Sequence, residues 1–265
     1  MRDGVLGDER GGGMRAATLR TDAWWLLPAT VVLVLGAFIV YSTWAALQNA
    51  HYWAPPYLSP FYSPCISTSC LHPTFGVGLP AISLPVIGLV SPAFLILWGP
   101  GLFRLTCYYY RKAYYRSFWL APPSCAVREP HRRYTGETRF PLLLQNLHRY
   151  AWYVAVIFIV LLTWDAILAF RFPDGFGLGV GTLVMWLNVI FLAGYTFSCH
   201  SCRHLCGGSQ DRVSRAPVTY RLWRFISRLN ERHGLFAWLS LVSVGLTDLY
   251  IRLVSMGIIR DLRIV

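Results

Sequence analysis

The chain alternates long apolar segments with shorter polar ones. Five apolar segments stand out, at residues 24–47, 83–103, 150–170, 178–198 and 235–256. An α-helix needs about 20 apolar residues to cross the hydrocarbon core of a bilayer. In lipid such a segment must be helical, because its backbone amides have no water to bond. The pattern therefore predicts an all-α membrane protein, a bundle of five transmembrane helices.

A sixth segment has a different periodicity. Between Tyr220 and Arg232, apolar side chains alternate with four arginines at helical spacing. A helix with one apolar and one basic face lies along the membrane surface rather than across it, so we expect an amphipathic helix on the inner surface. The predicted organisation is a disordered tail at 1–23, a transmembrane domain at 24–258 and an outer C-terminal tail at 259–265.

Composition supports a membrane protein, since 55% of the 265 residues are hydrophobic and 14% are charged, against about 25% charged in soluble domains. The N-terminal tail and the segments 104–149 and 199–233 together hold 20 Lys and Arg, whereas the opposite side holds three. Because Lys and Arg accumulate in cytoplasmic loops, the N-terminus is predicted to be cytoplasmic and the C-terminus outside. Topology thus accounts for the net charge of +12, and no basic patch or reading helix indicates nucleic-acid binding.

This topology sorts the seven cysteines. Cys65 and Cys70 lie in the outer loop, either as a disulfide or as two free thiols. At the inner end, where thiols stay reduced and more often bind metals, lie Cys107, Cys125, Cys199, Cys202 and Cys206. If the fourth helix continues past residue 199, His200 and His204 share one face, a spacing that can chelate a metal.

The chemistry of such a site stays open at this point. No histidine lies within the five spans, which disfavours a haem held by two histidines in the bilayer centre. A mixed His and Cys site suits zinc or a Rieske-type [2Fe–2S] cluster. The alternative is structural, with the thiols as core residues and the histidines capping a helix.

Three ionisable side chains interrupt the spans, all in their outer halves. Such groups are costly in a membrane and indicate a proton path or a polar ligand site. Asp248 and Arg252 are four residues apart, so an internal ion pair is the alternative for them. Asp165 has no local partner. We therefore take Asp165 and Asp248 as proton-path candidates.

Several strings resemble a known family. Residues 103–119, Gln145–Tyr150, Trp164-Asp165 and Cys199–Gly208 resemble the membrane anchor of actinobacterial succinate dehydrogenase, the cytochrome-b-like subunit of respiratory complex II. The resemblance covers nearly all of the chain after Trp24. It implies a bacterial plasma-membrane location, and a flavoprotein and an iron–sulfur subunit docked on the cytoplasmic loops. Electrons from succinate would then pass through this chain to menaquinone.

Related single-chain anchors carry two haems, from which this sequence departs by having no histidine in its spans. Haem b is therefore disfavoured, and the resemblance implies a Rieske-type [2Fe–2S] relay. Its expected ligands are His200, His204, Cys107 and Cys125, with Cys199 and His148 in reserve. The quinone is expected towards the outer half, bound by Tyr57, Ser59, Phe61, Tyr62, Asp165 and Arg252.

Two other functions remain as alternatives. One is a membrane thiol oxidoreductase or a zinc-dependent membrane enzyme that uses the inner cysteines and histidines. The other is an anchor without a cofactor. The chain shows no flavin or nucleotide motif, so the oxidation of succinate itself is expected in partner subunits.

Overall fold

The computed structural model describes residues 20–66, 82–84, 88–127, 138–140, 142–208 and 216–265. Its helices are α1 (Leu26–Gln48), α2 (Phe94–Thr106), α3 (Tyr108–Tyr114), α4 (His148–Leu168), α5 (Val180–Phe197), α6 (His200–Arg203), α7 (Pro217–Glu231) and α8 (His233–Ser255). Shorter turns are 3₁₀ at Pro60–Tyr62 and Leu142–Leu147, and π-helical at Tyr115–Trp119 and His204–Gly208. The strands form three antiparallel pairs: β1 (Trp53–Ala54) with β2 (Tyr57–Leu58), β3 (Ile82–Leu84) with β4 (Gly88–Val90), and β5 (Arg171–Phe172) with β6 (Gly175–Phe176).

The prediction of an all-α membrane bundle is confirmed. Within the described residues, four helices are long and apolar enough to span a bilayer, namely α1, α4, α5 and α8. Each lies within a few residues of its predicted bounds. The predicted surface helix is present as α7, which begins at Pro217, a residue favoured in the first turn because it lacks the amide that would go unpaired there.

The second predicted span differs from its prediction. Its first half is the β3–β4 pair, and the helix α2 begins only at Phe94. Pro92 disfavours helical geometry at Ser91, whose hydroxyl instead accepts a hydrogen bond from the amide of Ala93 at 3.2 Å. The 13 residues of α2 extend about 20 Å, less than the hydrocarbon core, so this segment is a shorter apolar helix.

Two glycines lie where helices of the bundle pack closely against each other. Helix α5 packs on α4 and α8, and α2 packs on α4. Gly194 of α5 lies against the ring of Phe236, and Gly99 of α2 lies against Val154 and Phe158. Small residues at such crossings let backbones approach, which is how helices associate in lipid.

One end of the bundle, which we call the loop end, is closed by residues 49–66. Tyr57, Ser59 and Phe61 of this loop are buried, as expected for a loop that packs over the helices. Cys65 is disulfide-bonded, while its predicted partner Cys70 lies outside the described residues. The opposite end, where α4 and α8 begin and α2 and α5 finish, we call the basic end.

The C-terminal tail returns to the loop end. Its backbone pairs with residues 178–180, and Gly179 bridges Arg263. The Asp261 carboxylate accepts hydrogen bonds from the hydroxyls of Tyr57 and Tyr250, each at 2.5 Å. Burial and this bond to Asp261 raise the pKa of the Tyr57 phenol to about 12. The tail and the loop are thus fastened to each other over the helix ends.

Candidate functional site

Two cysteines occupy helix breaks at the basic end. Cys107 separates α2 from α3, and Cys199 separates α5 from α6. Both have extended backbones, with φ −64° and ψ 126° at Cys107 and φ −66° and ψ 148° at Cys199. Both are also buried. The two thiols therefore occupy equivalent positions, each at the point where a helix stops and a second one starts.

Two histidines begin the helices that face those breaks. His148 is the first residue of α4 and His233 the first residue of α8, and both are buried. The Nε2 atom of His148 lies 3.0 Å from the Sγ of Cys199. The Nε2 atom of His233 lies 3.5 Å from the Sγ of Cys107. Four chain segments thus deliver two Cys–His pairs to one cavity of about 600 Å³.

A hydroxyl residue precedes each cysteine and holds the other ring nitrogen of a histidine. Thr106 Oγ1 lies 2.9 Å from Nδ1 of His148, and Ser198 Oγ lies 2.8 Å from Nδ1 of His233. The arrangement is crossed, because Thr106 holds the histidine that contacts Cys199, while Ser198 holds the one that contacts Cys107. Each Thr-Cys or Ser-Cys dipeptide therefore contacts both imidazoles, one through its hydroxyl and the other through its thiol.

These hydroxyls determine the tautomer of each ring. The Thr106 hydroxyl donates its proton to the carbonyl of Leu102 at 2.7 Å, and the Ser198 hydroxyl donates to that of Tyr195 at 3.2 Å. A hydroxyl has one proton to donate; when that proton goes to the carbonyl, the hydroxyl accepts from the imidazole, which favours the tautomer with the hydrogen on Nδ1. The lone pair of Nε2 then points at a thiol in both cases.

Aromatic rings and burial complete the site. Phe103 stacks on His148 and Tyr195 stacks on His233, each with ring centroids 5.1 Å apart. Burial raises the pKa of the Cys199 thiol to about 12. A thiolate there requires a compensating positive charge. The site is therefore a pair of buried thiols facing two correctly oriented nitrogen ligands.

The predicted ligands are not all brought to this place. The fourth helix does not continue past residue 199, which was the condition for the His200 and His204 pair, because α5 ends at Phe197 and Cys199 is extended. His200 is exposed on the rim of the same cavity. His204 is also exposed and lies 3.3 Å from a guanidinium nitrogen of Arg149. Cys125 is exposed.

His233 was missed by the sequence argument, which counted it as part of a loop. Two features of the sequence could have indicated it. A hydroxyl residue followed by cysteine, Thr106-Cys107 and Ser198-Cys199, stands at the basic end of two apolar segments, and a histidine stands just before two other apolar segments. In the part of the chain that the structure describes, no three His, Cys, Asp or Glu side chains are grouped as one metal ion would require. The four donors stand as two separate pairs.

A second cavity lies within the bundle, between this site and the loop end. Its volume is about 180 Å³, and its lining is largely apolar. Phe103, Arg104 and Tyr195 line it on the side of the Cys–His pairs, whereas Pro60 and Phe61 line it on the side of the loop. The Tyr195 hydroxyl is buried, and among the described residues no oxygen or nitrogen accepts its proton, although the Cys107 thiol lies near it. A buried hydroxyl of this kind is costly unless something accepts its proton.

Most residues predicted to bind quinone have partners elsewhere at the loop end. Arg252 donates to Asp248 at 2.7 Å, which is the internal ion pair considered from the sequence, and to the carbonyls of Ala45 and Ala50. Asp248 also accepts from Ser59 and from Tyr41. The remaining groups are bonded as follows: Tyr57 to Asp261, Tyr62 to the carbonyls of Ala45 and Ala46, and Asp165 to Ser63. Of the predicted set, Phe61 lines the cavity within the bundle.

Comparison with known proteins agrees with this architecture. Residues 26–257 match the family described as actinobacterial succinate dehydrogenase subunit SdhC. The chain is similar to a solved chain of the Mycobacterium smegmatis Sdh1 complex in the apo form, at 50% identity and a TM-score of 0.86, with 100% of both chains covered. No curated protein matches it. The chain therefore belongs to the family of actinobacterial succinate dehydrogenase SdhC subunits, as a multi-pass membrane anchor.

Proposed function

We propose that this membrane anchor carries electrons from an iron–sulfur partner subunit to a quinone, through a Rieske-type [2Fe–2S] cluster held by Cys107, Cys199, His148 and His233. One observation carries the proposal. Two buried cysteines face two buried histidines whose Nδ1 atoms are already bound by hydroxyls. The set differs from the ligands expected from the sequence in replacing His200, His204 and Cys125.

The donor chemistry fits this cluster. A Rieske centre takes two Cys on one iron and two His on the other, and the site offers that number of each. Histidines that bind metal usually donate their second ring N–H to an acceptor, which fixes the ring and its tautomer. Thr106 and Ser198 are such acceptors. A single zinc ion would need its ligands to converge on one point, and the described donors are not grouped in that way.

When bound, the cluster would supply reversible one-electron exchange at a depth that the soluble subunits do not reach. The protein's contribution is to hold its ligands rigidly and to limit water. Phe103 and Tyr195 cover one face of each imidazole. Arg104 lies nearby, with its guanidinium 5.0 Å from the centre of the Tyr195 ring. A fixed positive charge beside the site favours the reduced, more negative form of a redox centre.

We place the partners at the basic end. The cavity that holds the Cys–His pairs is lined at this end by Asn230, Glu231 and Arg232, so a subunit docked here would lie next to the pairs and deliver electrons from this side. The similar solved chain is part of a complex, and the proposed partners are a flavoprotein and an iron–sulfur subunit. The bias of Lys and Arg puts this end in the cytoplasm.

The quinone, proposed to be menaquinone, fits the cavity within the bundle better than the loop-end residues first expected. Its walls are largely apolar, with a few polar groups such as Arg104 and Tyr195, as is usual for a ligand pocket. No oxygen or nitrogen of the described residues accepts from the Tyr195 hydroxyl, and a quinone carbonyl would be a stronger acceptor than the nearby Cys107 thiol. Asp165 remains the proton candidate, since it is buried in α4 one turn beyond the cavity residue Leu162 and its described partner is the Ser63 hydroxyl.

The ligand assignment is tested by iron and acid-labile sulfide analysis, with electron paramagnetic resonance, on the purified chain. His233→Ala should abolish the iron, the sulfide and the signal. The double variant His200→Ala/His204→Ala is the control and should keep all three. Iron retained by His233→Ala, or lost from the double variant, contradicts the assignment. Zinc in place of iron and sulfide would support the zinc alternative.

The quinone site is tested by steady-state kinetics of the assembled complex. Tyr195→Phe removes a single hydroxyl and should raise the KM for quinone while succinate-dependent reduction of a soluble acceptor is unchanged. Tyr62→Phe is the matched control, because that hydroxyl bonds to backbone carbonyls at 3.0 Å. Asp165→Asn should lower the quinone reductase rate, and full activity in that variant would contradict its role in proton transfer.

A further inference from the structure

The surface helix α7 has a face that nothing in the described part of the chain covers. Val218, Leu222 and Phe225 are 73%, 47% and 58% exposed. At about 100° per residue they form a narrow stripe along the helix. Apolar side chains exposed side by side in this way form a patch of the kind that marks a contact surface.

A row of arginines runs beside this stripe. Arg221, Arg224 and Arg228 lie on the side of the stripe away from the bundle and are exposed. The packed side of α7 carries Trp223 and Ile226 instead. The helix therefore presents, in order around its axis, a face on the protein, an apolar stripe and a basic edge.

The connection to α8 determines what the stripe meets. Helix α7 ends at Glu231 and α8, a candidate membrane span, begins at His233. A helix joined to the end of a span by one residue lies at the level of the membrane surface. An apolar stripe flanked by arginines is the arrangement that inserts between lipid chains while its cations reach the headgroups.

We propose that α7 binds anionic phospholipids, with its stripe in the acyl region and its arginines on the phosphates, and that this lipid contact stabilises the junction between α5 and α6. The contacts of α7 with that junction support the second part. Asn230 donates to the carbonyl of Ser198 at 2.6 Å. Arg203 donates to Ser227 at 2.9 Å and lies 4.9 Å over the Trp223 ring.

These contacts give lipid binding a consequence at the Cys–His site. Ser198 precedes Cys199 and holds His233, while α7 leads directly into His233. A lipid contact that holds α7 at the membrane surface therefore also holds the backbone at Cys199 and His233, two of the four donors. The lipid contact itself does not depend on the cluster assignment, because it concerns backbone order and a separate surface.

The test is hydrogen–deuterium exchange of the intact complex in nanodiscs. One set contains phosphatidylcholine alone, and the other an equal mixture of phosphatidylcholine and phosphatidylglycerol. The amides of residues 217–231 and 198–203 should exchange more slowly in the anionic set, and high salt should remove the difference because it screens exposed charges. Each arginine near an anionic surface contributes about fivefold to binding, so Arg221→Gln/Arg224→Gln/Arg228→Gln should lose about a hundredfold and abolish the difference.

Two further variants make the result specific. Lys112→Gln/Arg116→Gln/Arg139→Gln removes three cations from elsewhere at the basic end and should leave the lipid effect on α7 intact. Asn230→Ala should keep the lipid effect on 217–231 and reduce it at 198–203, because it deletes the bond to Ser198 and leaves the contacts of Arg203. Equal exchange of α7 in the two lipid sets overturns the proposal. The proposal is also overturned if the α7 amides exchange at the same slow rate in both lipid sets but exchange faster when the partner subunits are removed. That result would assign the stripe to a partner subunit.

Discussion

The hydroxyl of Thr106 tests how the histidines are held. Its side chain is fully buried, and Oγ1 accepts from Nδ1 of His148 at 2.9 Å. Thr106→Val keeps the shape and removes the acceptor. Without a metal, His148 can move its proton to Nε2 and donate to Cys199, so no donor is left unpaired. With Nε2 bound to iron, the proton must stay on Nδ1, where nothing accepts it.

The penalty therefore falls on the metal-bound state. A buried donor without a partner costs about 1–3 kcal/mol, which is a factor of about 5–150 in affinity at 1.4 kcal/mol per tenfold. The usual effect of removing such a supporting group is about 10–100-fold, and the two ranges agree. We expect Thr106→Val to lose iron correspondingly faster to a chelator, followed by the decay of visible absorbance.

The matched control is Thr163→Val in α4. That hydroxyl is half-buried and bonds to the carbonyl of Ile159 at 2.6 Å, one turn earlier in its own helix. It should lose iron at the native rate. Ser198→Ala should resemble Thr106→Val, because Ser198 holds His233 at 2.8 Å. Equal iron loss from Thr106→Val and Thr163→Val would refute the reasoning.

Three further predictions concern stability, each measured by thermal unfolding in detergent. Asp248→Asn breaks a fully buried ion pair with Arg252 and should cost about 3–5 kcal/mol of folding stability. Asp174→Asn breaks an exposed pair with Arg263 and should change stability by under about 1 kcal/mol. Similar losses in the two variants would contradict the expected effect of burial. Gly194→Ala places a Cβ 2.6 Å from the Phe236 ring and should cost about 1–3 kcal/mol of folding stability. Gly36→Ala meets no atom within 4 Å and should stabilise the protein by about 0.5–1 kcal/mol. A Gly194→Ala variant as stable as the native chain would show that the α5–α8 contact is looser than described. The pKa of Tyr57 is raised from 10.0 to about 12, so the stability that its phenol contributes is complete below pH 10 and is lost as the pH rises through 12. Tyr57→Phe should therefore lose less stability between pH 10 and 12 than the native chain. An equal loss of stability with pH in both proteins would contradict this.

The helices could be predicted because each is a local property of the sequence. A run of about 20 apolar residues in lipid has few alternatives to a helix, and α1, α4, α5 and α8 follow from that rule. The second span failed locally, because Pro92 and the β3–β4 pairing interrupt it. The surface helix α7 followed from its periodicity, since arginines and apolar residues must separate to opposite sides.

The candidate site was predicted only in part. The sequence indicated that histidines and cysteines gather at one end of the bundle, and Cys107, Cys199 and His148 were among the expected residues. It favoured His200 and His204 because they are four residues apart, a spacing that matters only while the helix continues. The helix does break at Cys199, but before this pair, so His200 and His204 stay on one helical segment. Both are exposed there, whereas His148 and His233 face the buried thiols.

By itself the sequence determined which segments are apolar enough to lie in lipid and the end of the bundle at which thiols and imidazoles accumulate. Those properties depend on neighbouring residues and on the cost of burying charge. Only the tertiary structure decided which four donors meet. Cys107 and His233 are 126 residues apart, and His148 and Cys199 are 51 apart. Their contact results from how α2, α4, α5 and α8 pack, because helix packing sets which ends coincide and no local pattern encodes it.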